Sequence, residues 1–404
     1  MGDFWQPGPI TTLQALGSFS DGDREEQIRG FVKTRPVSLV LPCLYSEIQG
    51  PALPRIVEEL GRVGYLRRIV VTLGVADEGQ FRRARAFFRR LPQPVAIVWN
   101  DGARIGAIKA RIRRAGLPLG DPGKGLAVWM ALGYVLAHGD TAAVALHDTD
   151  IVTYRRSLLD RLVFPVVCPD MGYGFAKGYY ARVTDRLHGR ATRVFVFPLL
   201  AALRRALGPH PLLEYLAGFR YPLAGEFSLG EALAWGARIP ADWGLEVGTL
   251  VEAYRLCGTR GVCQVDLDVD YEHKHQDTGV GSDRPTGLVR MAREIAAALF
   301  RALAEEGVVV TEALLRSLGL AYLREAREAV RRYAHLARAN GLRYDPHAEL
   351  DLAEAFGNAL SQAGAAFLER PAGTPAIPSW ERVAQALPEI LEELRQAVED
   401  DNRT

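Results

Sequence analysis

Lysine is nearly absent from this chain. Only Lys33, Lys109, Lys124, Lys177 and Lys274 occur, so 44 of the 49 basic residues are arginines. A lysine kept against that bias marks a place where a compact ammonium serves and a planar guanidinium does not. A surplus of one charge is missing too, since 49 basic and 48 acidic residues leave a formal net charge of +1. A broad nucleic-acid footprint needs a basic excess, so nucleic acid is excluded as a partner, while a single concentrated anion pocket is not. Four cysteines in 404 residues, Cys43, Cys168, Cys257 and Cys263, do not make a disulfide framework, and the one close pair lacks zinc-ribbon spacing. Long apolar runs are also lacking. The longest charge-free apolar run, residues 125–139, is too short to span a bilayer. The opening MGDFWQPGPI has no basic stretch leading into an apolar core and does not read as a signal peptide. These absences point to a soluble, cytoplasmic protein with no membrane partner.

What is present is ordinary globular material, 48% hydrophobic, enough for two or three domain-sized units or one enlarged catalytic domain. Residues 1–35 are polar and loop-like, with a short helical pattern at 23–31. Then short apolar runs alternate with helical segments: 38–42, a helix over 52–63, 68–72, an arginine-rich helix through Arg90, 95–99, an apolar helix over 125–138, and 142–146. Unbroken apolar runs of four to six indicate parallel strands buried on both faces, so residues 36–150 read as a Rossmann-like α/β open sheet. Residues 151–284 are mixed, as expected of a region built around a substrate. Residues 285–404 are almost wholly helical, with helices expected over 288–306, 311–319, 322–340, 349–365 and 380–399.

Three local patterns carry chemistry. Asp148-Thr149-Asp150 follows the apolar run 142–146 directly. Two carboxylates at a strand's C-terminal end suit a hard divalent cation that in turn holds a diphosphate in the crevice of an open α/β sheet. Acidic residues also end strands simply as turn formers. Gly120-Asp-Pro-Gly-Lys124-Gly125 opens the helix before that strand, where free backbone N–H groups and an ammonium attract an anion; it is not a Walker A loop. Leu41-Pro42-Cys43-Leu44-Tyr45-Ser46-Glu47 follows the first run, placing a carboxylate either at a nucleoside or in the first turn of the next helix.

Taken in order, a first-strand proline loop, a glycine-rich lysine turn and an Asp-x-Asp pair resemble a GT-A glycosyltransferase. Further along, Gly189-Arg190-Ala-Thr192, Leu223-Ala-Gly-Glu226, Trp243-Gly-Leu-Glu246-Val-Gly and Glu272-His273-Lys-His275 are similar to the bacterial glucosyl-3-phosphoglycerate synthases and to the mannosyl-3-phosphoglycerate synthases of the same family. The resemblance spans roughly residues 36–330. It implies retaining transfer of a hexose from a nucleoside diphosphate sugar to the 2-hydroxyl of 3-phosphoglycerate, for compatible-solute synthesis.

The resemblance also assigns residues. Pro42, Cys43, Leu44, Glu47, Lys124, Asp148, Thr149 and Asp150 would line the donor. Gly189, Arg190, Thr192 and His275 would bind the acceptor, with Glu246 and Asp150 at the reacting centre and Asp150 and His273 on the metal, Mg²⁺ or alternatively Mn²⁺. An acceptor carrying about three negative charges suits an arginine fork, and a charged leaving diphosphate suits a bound cation. Tyr45 and Ser46, with the second strand ending Val71-Thr-Leu-Gly74, depart from the family pattern where the base is read. GDP-mannose, GDP-glucose and UDP-glucose therefore all stay open as donors. A homodimer through the C-terminal helices is implied as well. The alternatives are a GT-A transferase acting on another acceptor, such as a polyprenyl phosphate, and a non-catalytic nucleotide-binding regulator.

Overall fold

A computed structural model describes residues 6, 8–16, 21–267, 287–371, 373 and 375–403. Eight strands form one sheet: β1 (Thr11–Leu13), β2 (Val37–Leu44), β3 (Leu66–Gly74), β4 (Val95–Trp99), β5 (Ala143–Leu146), β6 (Phe175–Tyr179), β7 (Phe227–Gly230) and β8 (Val262–Asp266). Their order is β1-β8-β6-β7-β5-β2-β3-β4. All pairings are parallel except those of β7, which runs against both β5 and β6. The sheet takes strands from the first three sequence segments: β1 from residues 1–35, β2 to β5 from 36–150, and β6 to β8 from 151–284. Four expected strands are found near their sequence positions, and the mixed region supplies three more.

The period-two pleat sorts the apolar runs onto two faces. Val40, Val70 and Val98 enter one core, whereas Leu39, Leu41, Ile69, Val71 and Ile97 enter the other. The second face is covered by helices Ala52–Gly61, Glu78–Phe88 and Arg156–Val167, through Leu53, Phe81 and Leu159 among others. The first face carries Ala103–Arg114, Lys124–Leu136 and the C-terminal helices. Ala103–Arg114 was not expected from the sequence. Its arginines mask a helical apolar face made by Ile105, Ile108 and Ile112.

Two expected helix boundaries are wrong. Residues 311–319 and 322–340 form one helix, Glu312–Ala339, because Gly319 faces open space and its missing side chain costs too little to break the turn. Residues 380–399 split into Trp380–Ala386 and Ile390–Arg403, interrupted at Pro388, which has no N–H to continue the ladder.

The C-terminal helices are welded to the sheet. Trp380 stacks on Trp129 with centroids 3.9 Å apart. Trp129 Nε1 donates to Pro378 O at 2.9 Å and Trp380 Nε1 to Trp129 O at 2.8 Å. A Cβ on Gly133 would overlap the Trp380 ring, so that helix position takes glycine. At the β4 edge, the Asn402 amide accepts from Ile97 N at 3.0 Å and donates to Ile97 O at 2.8 Å, satisfying backbone groups an edge strand otherwise exposes. Among the described residues, no helix is long and apolar enough to cross a membrane.

Candidate active site

The chain leaves β2 toward β3 on one side and reaches β5 on the other, so the strand order reverses at β2. Open α/β sheets bind ligands in the crevice outside such a point, at the C-terminal strand ends. The Asp148-Thr149-Asp150 pair lies there. Thr149 Oγ1 donates to Pro42 O at 2.8 Å, tying the ends of β5 and β2 together.

Three distant segments converge on one ammonium. Lys124 Nζ lies 2.8 Å from Asp148 Oδ1 and 3.0 Å from Glu246 Oε1. Glycine makes this approach feasible. A Cβ on Gly123 would overlap the Ala241 carbonyl, and one on Gly125 the Pro240 carbonyl. Leu126 N then donates to Ala241 O at 3.3 Å, so the start of the Lys124–Leu136 helix sits directly on the 240–246 turn. Glu246, in the first turn of helix Leu245–Cys257 and 6% exposed, is carried within reach of Lys124. Burial alone would lower the Lys124 pKa, but the charges of Asp148 and Glu246 outweigh it and hold the amine above its ordinary value. It is a permanent cation.

Behind Asp148 stands the turn 223–226. A Cβ on Gly225 would overlap the Asp148 carboxylate, so the backbone itself forms the wall. Lys177, on β6 and 1% exposed, donates to Ala224 O at 2.6 Å and lies 5.3 Å above the Phe227 ring. Burial lowers its amine to about 8, with Glu246 and Glu226 pulling upward and Lys124 pushing down. Glu226, fully buried, accepts from Tyr180 Oη at 2.8 Å. Tyr180 packs edge-on against Tyr221 at 5.0 Å, and the Tyr221 hydroxyl accepts from Arg182 Nη1 at 3.1 Å. Arg182 O in turn accepts from His188 N at 2.9 Å, so these contacts run from the Asp148 wall to the segment that carries Gly189-Arg190-Thr192. Gly189 turns there with φ +71°, a backbone conformation suited to glycine.

The expected residues thus fall into groups. Lys124, Asp148 and Glu246 meet directly; Pro42 and Thr149 brace them. Leu44 is exposed at the end of β2 and Glu47 lies in the 3₁₀ turn Tyr45–Gln49 beyond it. The Cys43 side chain is buried in the core, not in the crevice, and burial pushes its thiol up to about 12. Only the Cys43 backbone is left to meet a ligand. Arg190 Nε donates to Glu349 Oε1 at 3.1 Å, a partner from the C-terminal helices that no local pattern announces. His273 and His275 lie outside the described residues. Lys177, Glu226, Arg193 and Glu349 were not assigned from sequence; only the scarcity of lysine singled out the first.

No protein-family model matches the chain. It is 46% identical over 402 residues to the glucosyl-3-phosphoglycerate synthase of Persephonella marina, covering 100% of this chain and 99% of that one. It is 37% identical over 383 residues to the glucosyl-3-phosphoglycerate synthase of Methanococcoides burtonii, covering 93% of each. Among solved structures, it resembles the Mycobacterium tuberculosis glucosyl-3-phosphoglycerate synthase in complex with Mn²⁺, UDP-glucose and glycerol 3-phosphate. There the TM-score is 0.52 and the identity 23%, with 73% of this chain and 88% of that one covered. This last likeness bears on the fold, a GT-A sheet with appended helices. The two full-length relatives settle the rest: the chain belongs to the glucosyl-3-phosphoglycerate synthase family and is a hexosyltransferase.

Proposed function

We propose that the protein transfers glucose from UDP-glucose to the 2-hydroxyl of 3-phosphoglycerate, with retention of configuration, in the cytoplasm and as a homodimer. The observation that carries this reading is the Lys124 ammonium fixed between Asp148 and Glu246 at the reversal point of the sheet. Glucose is favoured over mannose because both full-length relatives are glucosyl enzymes, and UDP over GDP because a related structure holds UDP-glucose.

The donor would lie along Pro42, Leu44 and Glu47, with its diphosphate toward Lys124. Asp148 and Asp150 offer hard carboxylate oxygens, the donor chemistry that Mg²⁺ or Mn²⁺ takes. Asp148 is already committed to Lys124, so Asp150 is the metal-facing carboxylate. No grouping of three or more His, Cys, Asp or Glu side chains among the described residues can hold a metal, so the remaining ligands would be His273 and the diphosphate. When bound, the cation neutralises charge gathering on the departing diphosphate. That leaving group needs no general acid. A carboxylate already sharing an ammonium at 3.0 Å is a poor nucleophile. Glu246 therefore accepts from sugar hydroxyls and steadies positive charge developing at the anomeric carbon. Gly189, Arg190, Thr192 and His275 would receive the phosphate and carboxylate of the acceptor.

The test is a donor panel of UDP-glucose, ADP-glucose, GDP-glucose and GDP-mannose, each with 3-phosphoglycerate and either Mg²⁺ or Mn²⁺. Fastest turnover with UDP-glucose is expected; turnover with none overturns the reading. Arg190→Ala should raise KM for 3-phosphoglycerate far more than that for the donor.

A further inference from the structure

The C-terminal helices bear directly on the acceptor segment. Glu349, in the first turn of helix Pro346–Glu369, is 4% exposed and takes two guanidinium groups. Arg193 grips it bidentately, Nη1 to Oε2 at 2.6 Å and Nη2 to Oε1 at 2.8 Å. Arg190 reaches the same Oε1 through Nε alone, at 3.1 Å. Arg193 is 5% exposed, and four of its five N–H donors are taken by protein acceptors. Its Nε donates to His188 O at 3.0 Å, its Nη2 also to Leu187 O at 3.3 Å, and its guanidinium lies 5.2 Å from the Tyr333 ring centroid and 5.6 Å from that of Tyr344. Arg190 is the reverse case. Its side chain is 38% exposed, and among the described residues its two terminal nitrogens bond no protein acceptor. The same helical hairpin holds the segment at a second point, where Arg343 N donates to Asp185 O at 2.8 Å and the Arg343 side chain pairs with Asp185.

We propose that Glu349 and Arg193 are positioning residues for the acceptor: together they aim the Arg190 fork at the anionic groups of 3-phosphoglycerate and keep it free to bind them. The inference rests on the acceptor reading of Arg190 given above. Its logic is one of charge and geometry. Glu349 alone beside Arg190 would take both terminal nitrogens in a bidentate pair, the preferred arginine–carboxylate arrangement, and would cancel the charge the acceptor needs. Arg193 occupies both carboxylate oxygens first, leaving Arg190 only the lateral Nε contact. The trio keeps one net positive charge, and the four N–H bonds on the terminal nitrogens of Arg190 are not engaged by Glu349. A planar fork so fixed loses little freedom when it meets a phosphate or carboxylate.

The test compares Arg193→Met, Arg193→Met/Glu349→Gln and Glu349→Asp, measuring KM for 3-phosphoglycerate and for UDP-glucose alongside thermal melts. Arg193→Met should raise KM for the acceptor by about tenfold or more, with donor KM changed by less than about twofold, because Glu349 then captures Arg190. Adding Glu349→Gln should recover part of that loss in acceptor KM; a purely structural role predicts instead that both KM values move together and follow the thermal melts. Glu349→Asp keeps the charge but withdraws the carboxylate from Nε, and should raise acceptor KM about threefold or more. If Arg193→Met does not fold, Glu349→Asp decides alone. Unchanged acceptor KM in a folded variant, or equal changes for both substrates, overturns the proposal. Failure of the underlying acceptor reading shows separately, as a parent enzyme that does not turn over 3-phosphoglycerate.

Discussion

His147 offers a measurement of what the site's rigid backing costs. It sits between the last residue of β5 and Asp148, is 0% exposed, and meets Tyr154 edge-on at 5.5 Å. Its backbone N–H donates to Val40 O at 3.2 Å, but neither ring nitrogen has a hydrogen-bond partner among the described residues. Burial drives the imidazole down to about 3 from 6.5. A histidine that is neutral when folded and protonated when unfolded makes the unfolded state bind more protons across that interval. Stability should therefore be level above about pH 6.5 and fall as the pH drops toward 3, at up to about 1.4 kcal/mol per unit. By pH 5 the His147 share is about 2 kcal/mol, and the whole interval corresponds to about 5 kcal/mol. Other groups titrate in the same range, so the informative quantity is a difference: urea unfolding of the parent and of His147→Phe at about pH 7.5 and about pH 5. Phenylalanine keeps the ring against Tyr154 and removes two unpartnered polar atoms, so at the higher pH the variant should equal or exceed the parent. At the lower pH its advantage should grow by about 2 kcal/mol. Parallel loss of stability in both proteins would refute the argument.

Lys124→Met leaves Asp148 and Glu246 without their shared cation; breaking a largely buried pair costs about 3–5 kcal/mol. A thermal melt should show the loss, and adding Glu246→Gln should restore stability but not turnover. Gly125→Ala should cost about 1–3 kcal/mol, because its Cβ must push the Pro240 carbonyl away, and should lower kcat/KM by displacing Lys124. Calorimetry and steady-state kinetics would report both effects. Trp380→Ala removes the stack on Trp129 and one of its two indole hydrogen bonds, a loss of about 3–5 kcal/mol. If the C-terminal helices belong to the sheet's cooperative unit, unfolding of that variant stays a single transition.

What the sequence revealed divides by range. Asp148 and Asp150 were legible because an apolar run and a pair of carboxylates are adjacent in the chain, and Lys124 because glycines surround it. The partnership of Lys124 with Glu246 spans 122 positions and depends on the 240–246 turn resting on two glycines, which no local pattern encodes. Glu349 is farther still, 159 residues from Arg190. Residues 151–284 read as mixed because β7, a four-residue strand, enters antiparallel between β6 and β5 and lacks the flanking rhythm of a β-α-β unit. Gly319, where one expected helix ends, does not break Glu312–Ala339, whereas Pro388 interrupts the expected 380–399, because the ring, unlike the missing side chain, removes a backbone donor.

The scarcity of lysine proved the more informative absence, and the structure supplies its reason. Lys124 must satisfy two carboxylates that come from the turn after β5 and from helix Leu245–Cys257 and converge on one nitrogen. Lys177 reaches a single carbonyl from a seat over the Phe227 ring, inside a fully packed core. Lys109 Nζ donates to Asn100 O at 2.9 Å, and burial lowers its amine to about 8. Lys177 is buried and Lys109 and Lys124 partly so; at Lys109 and Lys177 the ammonium meets one carbonyl, where a guanidinium would bring extra donors with nothing to bond. Lys33 is exposed and fits no such pattern. In a chain that otherwise writes its positive charge as arginine, two of the four described lysines, Lys109 and Lys177, therefore stand where a compact donor suits a lone carbonyl, and Lys124 and Lys177 form and back the site. Lys177→Arg tests the claim at its sharpest: the charge is conserved, yet turnover should fall as steeply as with Lys177→Met. Retention of activity by the arginine variant alone would show that charge, not shape, keeps lysine there.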